Sequence, residues 1–205
     1  MSVDRRRSAP AAERNREPIA ARMAPLLGAA EMLLDIASGS GQHAALFAER
    51  HPALVVQPSD PDEDARASAD AWAEHLALQN MRRALDLDVT RAAWWADVSP
   101  LRPDVVFCAN MIHIAAWAAC EGLFEGAEHL LAPSGVLALY GPFLRDDVET
   151  APSNLAFDRS LRARDPAWGV RALADVDSLA RARGLEREAV HEMPAHNLIV
   201  VFRRV

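Results

Sequence analysis

The sequence contains no lysine: all 22 of its basic residues are arginine. That absence excludes Schiff-base chemistry, the lysine of a phosphate-binding P-loop and the Tyr-x-x-x-Lys pair of short-chain dehydrogenases. Cysteine is nearly absent too. Cys108 and Cys120 lie in apolar surroundings without C-x-x-C spacing, and read as reduced core thiols of a cytoplasmic protein. The N-terminus lacks the apolar core of a signal peptide. Long hydrophobic runs are missing as well. The most apolar stretch, Val105 to Cys120, has 16 residues and is interrupted by Asn110 and His113, whereas a membrane span needs about 20. Positive charge is in deficit, at 22 basic against 29 acidic residues and a formal charge of −7, which argues against nucleic acid as a partner. His43, His113 and His191 show no metal-ligand spacing, so no metal is expected.

What is present is an ordinary globular balance, 51% hydrophobic and 25% charged over 205 residues. A chain of this length hides roughly 70% of its unfolded surface and needs no disulfide to hold a core. Residues 1–9, with Arg5, Arg6 and Arg7, read as a disordered tail, and residues 10–205 as one domain. Two short helices are expected over Pro10–Asn15 and Pro18–Leu27. Strands are expected over Met32–Ala37, Leu54–Gln57, Ala84–Val89, Asp104–Asn110 and Val136–Tyr140. Between them fall helices over Gln42–Arg50, from a cap at Asp60 to about Leu78, and over about Ala115–Leu131. This alternation predicts an α/β fold with a doubly wound, mostly parallel sheet covered on both faces. Residues 143–172 break the rhythm, without a clean period, and read as a lid or binding loop. A helix over Leu173–Arg183 and an antiparallel hairpin, Leu185–His191 with Leu198–Phe202, close the chain.

The central motif is Asp35-x-Ala37-x-Gly39-x-Gly41. Glycines let backbone approach a ligand closely, and the helix that follows aims unpaired N–H groups at the same spot. In a doubly wound sheet such a turn lies at the carboxyl ends of the strands, where ligands bind. The spacing Gly39-x-Gly41-x-x-Ala44 also meets the loose dinucleotide fingerprint, and Asp60 suits a ribose diol for either ligand. Asp35 favours S-adenosylmethionine (SAM): a buried anion repels a diphosphate but attracts an ammonium. Asp88, with Asp86 as its competitor, is placed to accept from an adenine amino group. The bland alternatives are loop-amide capping for Asp35 and helix capping for Asp60.

With those residues in place, the chain resembles the class I, seven-stranded SAM-dependent methyltransferases with a Rossmann-like sheet. More narrowly it resembles the methyltransferase-like group known as UPF0585 or DUF938. The stretches that carry this are Ala12 to Ile19, Ile36 to His43, Gln57 to Asp60, Asn110 to Ile114, Tyr140 to Phe143, Ser153-Asn154 and Phe157 to Gly169. Met193-Pro194-Ala195-His196-Asn197 departs from the pattern, with histidine where asparagine is expected. The resemblance implies methyl transfer from SAM to a small-molecule acceptor. Asn15, Asp35, Ala37, Gly39, Gly41, Gln42, Asp60, Asp88, Val89 and Asn110 would then line the cofactor. His113 is the candidate base and Tyr140 orients the acceptor. In the lid, Asn154, Asp158, Arg162 and Trp168, with Arg164 and Asp165 nearby, are candidates for the acceptor. Structural roles compete at each position: a core histidine, a packed tyrosine, a salt-bridged loop. The rival functions are a nicotinamide-dependent oxidoreductase and a non-catalytic SAM-binding or interaction module.

Overall fold

A computed structural model describes residues 4–205, which divide into two compact units. The first contains residues up to Asp88 together with Leu101–Cys108. Its elements are α1 (Pro10–Leu27), β1 (Met32–Ile36), α2 (Gln42–Arg50), β2 (Val55–Ser59), α3 (Glu63–His75) and most of β3 (Val105–Ala109). β1 lies between β2 and β3 and pairs parallel with both, Leu33 meeting Val56 on one side and Val105 on the other. Every residue of β1 is buried. A strand covered on both faces reads as an unbroken apolar run rather than an alternation, which is why Asp35 stands out in it. α2 buries Ala44 to Ala48, and Phe47 meets Phe107 of β3 edge to face at 5.3 Å. The expected pair of N-terminal helices is one continuous helix. α1 carries both Pro18 and Pro25 and buries Ile19, Ala20, Met23 and Leu27 along one stripe. Asp104 fixes the start of β1, its Oδ2 accepting from the amides of Glu31 at 2.7 Å and Met32 at 3.0 Å.

The second unit contains Val89–Pro100 and Ala109–Val205. It holds α4 (Trp117–Leu130), β4 (Val136–Gly141), β5 (Phe143–Leu144), α5 (Pro152–Arg164), β6 (Arg171–Ala172), α6 (Leu173–Ala182), β7 (Leu185–Met193) and β8 (Asn197–Arg204). β8 lies between β4 and β7 and is antiparallel to both, as the hairpin reading requires. β7 displays Glu186, Arg187 and Glu188 to solvent, charges that keep a strand edge from pairing with another chain. Gly122 and Gly126, one turn apart on α4, open a groove for Val89 and Trp94. A Cβ on Gly122 would stand 1.9 Å from the Val89 carbonyl oxygen, and one on Gly126 1.8 Å from Trp94. Trp94 Nε1 donates to the Gly122 carbonyl at 2.9 Å, so this indole is a core anchor.

The architecture is the expected mostly parallel α/β sheet with antiparallel C-terminal strands, but among the described residues the main sheet has six strands rather than seven. The missing one is the strand expected over Ala84–Val89. Of it only one isolated bridge beside β2 remains, Leu85 with Ser59, and a second, Met81 with Val56, falls just before the expected strand. β2 carries Pro58, which has no N–H to donate to this neighbour, so the ladder is interrupted between the bridges. The lid also differs from the structureless segment expected: it contains the 13-residue helix α5 and the short parallel pair β5–β6. No helix among the described residues is long and apolar enough to cross a membrane.

Candidate functional site

The turn after β1 is wound left-handed three times, with φ of 55° at Ala37, 56° at Gly39 and 79° at Gly41. The two glycines are required for different reasons. A Cβ on Gly41 would lie 2.5 Å from the Ala69 Cα, because the start of α2 is pressed against α3. A Cβ on Gly39 would meet nothing within 4 Å, so that position opens onto free space. Ala37 holds its left-handed conformation without the freedom of glycine, a local strain that the surrounding bonds must impose.

Two serines supply those bonds. Ser38 Oγ donates to the Asp35 carbonyl at 3.0 Å and accepts from the Ser59 amide at 3.0 Å. Ser59 Oγ donates to the same Asp35 carbonyl at 2.9 Å. Neither serine was singled out from sequence, although each adjoins a residue that was. Asp60 then closes the turn, Oδ2 accepting from the Gly39 amide at 2.9 Å and Oδ1 from the Asp62 amide at 2.9 Å. It is not the cap of α3, as expected; Asp62 is, accepting from the Ala65 amide at 2.8 Å. Asp60 is thereby released for the turn.

Asp35 sits directly beneath this loop. It is 2% exposed, and its Oδ2 has no hydrogen-bond partner. Burial pushes its carboxyl up to about 7, Ser38 opposes the rise and the charge of Asp60 adds to it. An unpartnered buried oxygen costs about 1–3 kcal/mol unless something supplies a donor. The amides that open α2 have no side-chain cap, since Gly41 stands at the capping position. The residues here suit a nucleoside bearing an ammonium, and they oppose a diphosphate by presenting two carboxylates to it.

Other cofactor candidates face elsewhere or are tied down. The Gln42 side chain is 1% exposed and binds the Ala9 amide, Ser40 Oγ and Glu13. Asn15 Oδ1 lies 2.9 Å from His43 Nε2, joining α1 to α2. Asp86 is exposed and pairs with Arg66 at 3.5 Å, while Asp88 is half-buried.

In the second unit, Asn110 is also left-handed, with φ 62°, and its amide donates to the Tyr140 carbonyl at 2.8 Å. His113 is wholly buried, its ring edge-on to Phe143 at 5.1 Å. A Cβ on Gly141 would come within 2.5 Å of its Nε2, which has no partner. Burial drives this imidazole down to about 3, helped by the charge of Arg171. Tyr140 is buried. The lid candidates bond mainly to the lid itself. Asp158 takes the Val170 amide at 2.8 Å and Arg162 Nε at 2.9 Å, and the Arg164 guanidinium covers Trp168 at 5.0 Å. Asn154 Nδ2 reaches the His196 carbonyl at 2.9 Å, in a turn where Ala195 and His196 are both left-handed. The residue that organises this region is Arg171, which carried no motif. Its guanidinium donates to the carbonyls of Ile112 at 2.8 Å and Ala115 at 2.6 Å, and packs 5.6 Å from the Trp117 ring. Among the described residues no cluster of His, Cys, Asp or Glu could hold a metal ion.

Comparison with known proteins bears on the fold and the family. Ribosomal RNA small subunit methyltransferase H of Prochlorococcus marinus (strain MIT 9303) is 39% identical over 95 residues, 46% of this chain and 28% of that protein. The chain thus spans under a third of that relative. An O-methyltransferase family protein from Burkholderia thailandensis superposes with a TM-score of 0.79 at 20% identity, covering 95% of this chain and 57% of that one. Human N-acetylserotonin methyltransferase, solved in complex with SAM, gives 0.74 at 16% identity over 95% of this chain and 52% of its own. At such identities the shared property is the methyltransferase fold, and this chain spans little more than half of either structure. The model of the family described as "Protein of unknown function (DUF938)" matches residues 6–204, and the chain belongs to that family.

Proposed function

We propose that the protein is a SAM-dependent methyltransferase acting on a small-molecule acceptor. The observation that carries this reading is the buried, unpartnered Asp35 oxygen under a left-handed glycine turn closed by Asp60. Asp60 would hold the ribose diol, Asp88 the adenine amino group, and Asp35 the ammonium, directly or through water. Ala37, Gly39 and Gly41 shape the backbone around the ligand, and Asn15 of α1 and Gln42 of α2 join those two helices beside it. SAM supplies a methyl group already activated on a sulfonium. The protein's share is therefore alignment of the acceptor and exclusion of water.

On the acceptor side the candidates are His113, Tyr140, Asn154, Asp158, Arg162 and Trp168. An imidazole that stays neutral down to about pH 3 is a weak base, so His113 is better suited to packing and orientation than to proton abstraction. The reading thus favours an acceptor that needs no strong base. The net charge of −7 weighs against giving this chain the ribosomal RNA substrate that its sequence relative is named for. The same weak basicity motivates a second reading, a module that binds SAM without turning it over.

Calorimetric titration with SAM and with its demethylated product tests the first step, with NADH as the control for the nicotinamide alternative. Absence of binding by both sulfur compounds at millimolar concentration rejects the cofactor assignment. Incubation with methyl-labelled SAM and a metabolite extract then separates the two readings. A labelled small product establishes transfer, and tight binding without label favours the module.

A further inference from the structure

Residues Asp4–Ala9 form no helix or strand, yet they follow a defined course along α3. The Arg7 amide donates to Ser68 Oγ at 2.8 Å, and the Arg7 carbonyl accepts from Trp72 Nε1 at 3.1 Å. The Arg6 guanidinium covers the Trp72 ring at 5.1 Å. Arg7 reaches Asp64 at 2.6 Å, at the acidic start of α3. The Ala9 amide then donates to Gln42 Oε1 at 2.8 Å.

Two of these anchors, Ser68 and Gln42, lead on to the glycine turn. Ser68, wholly buried, donates a hydrogen bond from its own hydroxyl to the Ser40 carbonyl at 2.8 Å. Gln42 Oε1 also accepts from Ser40 Oγ at 2.9 Å, and Gln42 Nε2 donates to Glu13 at 2.7 Å. Ser40 is therefore gripped at its carbonyl and its hydroxyl by the two side chains that also hold the segment. Gly41, beside it, is pressed onto Ala69, the neighbour of Ser68. The contacts of the segment are few and partly exposed, so its docking free energy is small and open to adjustment by a ligand.

We propose that Asp4–Ala9 is a clasp for the Gly39–Gly41 turn: its docking on α3 and ligand binding at the turn favour each other, with Ser68 and Gln42 as the positioning residues between them. Because coupling between two binding events is reciprocal, weakening the clasp weakens the ligand, and the ligand tightens the clasp. The cofactor half of this statement rests on the SAM reading above; the hold on the turn does not.

The test uses the full chain and three variants. Arg7→Ala loosens the segment from the surface. Gln42→Glu keeps both acceptor bonds but sets a carboxylate against Glu13, and Gln42→Glu combined with Glu13→Gln restores a donor there. Amide hydrogen exchange over Ser38–Gln42 is measured without ligand. Exchange should quicken about fivefold or more in each single variant and return toward wild type in the double; unchanged exchange in both singles overturns the clasp whatever the ligand is. Calorimetry with SAM should show about fivefold weaker binding in the singles, recovered in the double. SAM should slow tryptic cleavage after Arg5, Arg6 and Arg7 by a comparable factor. A wild type that binds SAM no better than the single variants defeats the coupling and spares the cofactor reading. A wild type that does not bind SAM defeats the cofactor reading, and the exchange result still decides the clasp.

Discussion

Asp35, within β1 of the first unit, and His113, in the turn after β3 in the second, are both deeply buried, and burial moves them in opposite directions. Desolvation penalises the charged form of each. It raises the carboxyl to about 7 and lowers the imidazole to about 3. The consequences are unequal. An acid held near neutrality stays responsive, because an incoming cation can draw it into the ionised form. A base driven far below neutrality is removed from proton chemistry. The first unit thus keeps a group able to change charge near neutrality, whereas in the second the histidine packs against Phe143 and Gly141.

The comparison breaks most sharply at the turn itself. Gly41→Ala meets both a left-handed φ of 79° and a Cβ 2.5 Å from the Ala69 Cα, so it combines a backbone penalty with overpacking. Together these should cost about 3 kcal/mol of stability in urea denaturation. Gly39→Ala, which has the positive φ but open space around it, should cost only about 1 kcal/mol. Equal losses from the two would show that α2 and α3 are not pressed together there, and that Gly41 serves the ligand alone.

Asp60→Ala comes next. It removes the acceptor of the Gly39 amide and the proposed ribose ligand at one stroke. Affinity for SAM should fall by about 2 kcal/mol, or roughly thirtyfold, as for a lost charged hydrogen bond. Unchanged affinity in calorimetry would mean that the nucleoside lies elsewhere.

These tests also mark where sequence reasoning succeeds. β1, the turn and α2 were read nearly to the residue, since an apolar run, a glycine spacing and a helix of buried alanines are local patterns. The turn's serines and the capping role of Asp62 depend on which of several neighbouring polar groups wins a given amide, a matter of angstroms. The strand over Ala84–Val89 failed because its fate rests on Pro58 in its neighbour. Helix α5 was missed because it buries only Asn154 and Leu161, leaving no stripe to detect, although Pro152 marked its start. The path of Asp4–Ala9 has no local signal at all, being set by Ser68, Trp72 and Gln42.

The third test bears on pH. Asp35 is raised above its unfolded value of 3.8, so the stability it contributes is full below about 4 and is lost as pH climbs through about 7. His43, lowered by burial to about 4, and His113, lowered to about 3, do the reverse: their share is full above 6.5 and is lost as pH falls toward those values. Stability should therefore decline on both sides of mildly acidic pH. A cation at the turn selects ionised Asp35, so SAM affinity should rise about tenfold from pH 6 to 8, equivalent to about 1.4 kcal/mol. Asp35→Asn should flatten that rise and remove the alkaline decline in stability while leaving the acid limb. A pH profile identical to wild type would detach the carboxyl from the ligand.

The smallest effect belongs to the lid. Arg162 pairs with Asp158 one helical turn away at 2.9 Å, but its side chain is half exposed, and water screens such pairs. Arg162→Ala should cost only about 0.5 kcal/mol in denaturation, the usual worth of an exposed i,i+4 pair. Asp158 keeps its bond to the Val170 amide in that variant, so the lid retains its hold on the backbone. That separation makes the substitution a clean probe of the proposed acceptor role. A variant of near-native stability that still binds SAM but no longer labels an acceptor would give the guanidinium a role beyond its salt bridge. Full transfer activity would confine Arg162 to the helix surface and leave the lid's fold to Arg171, Asp158 and Asn154, whose side chains fasten it to main-chain groups.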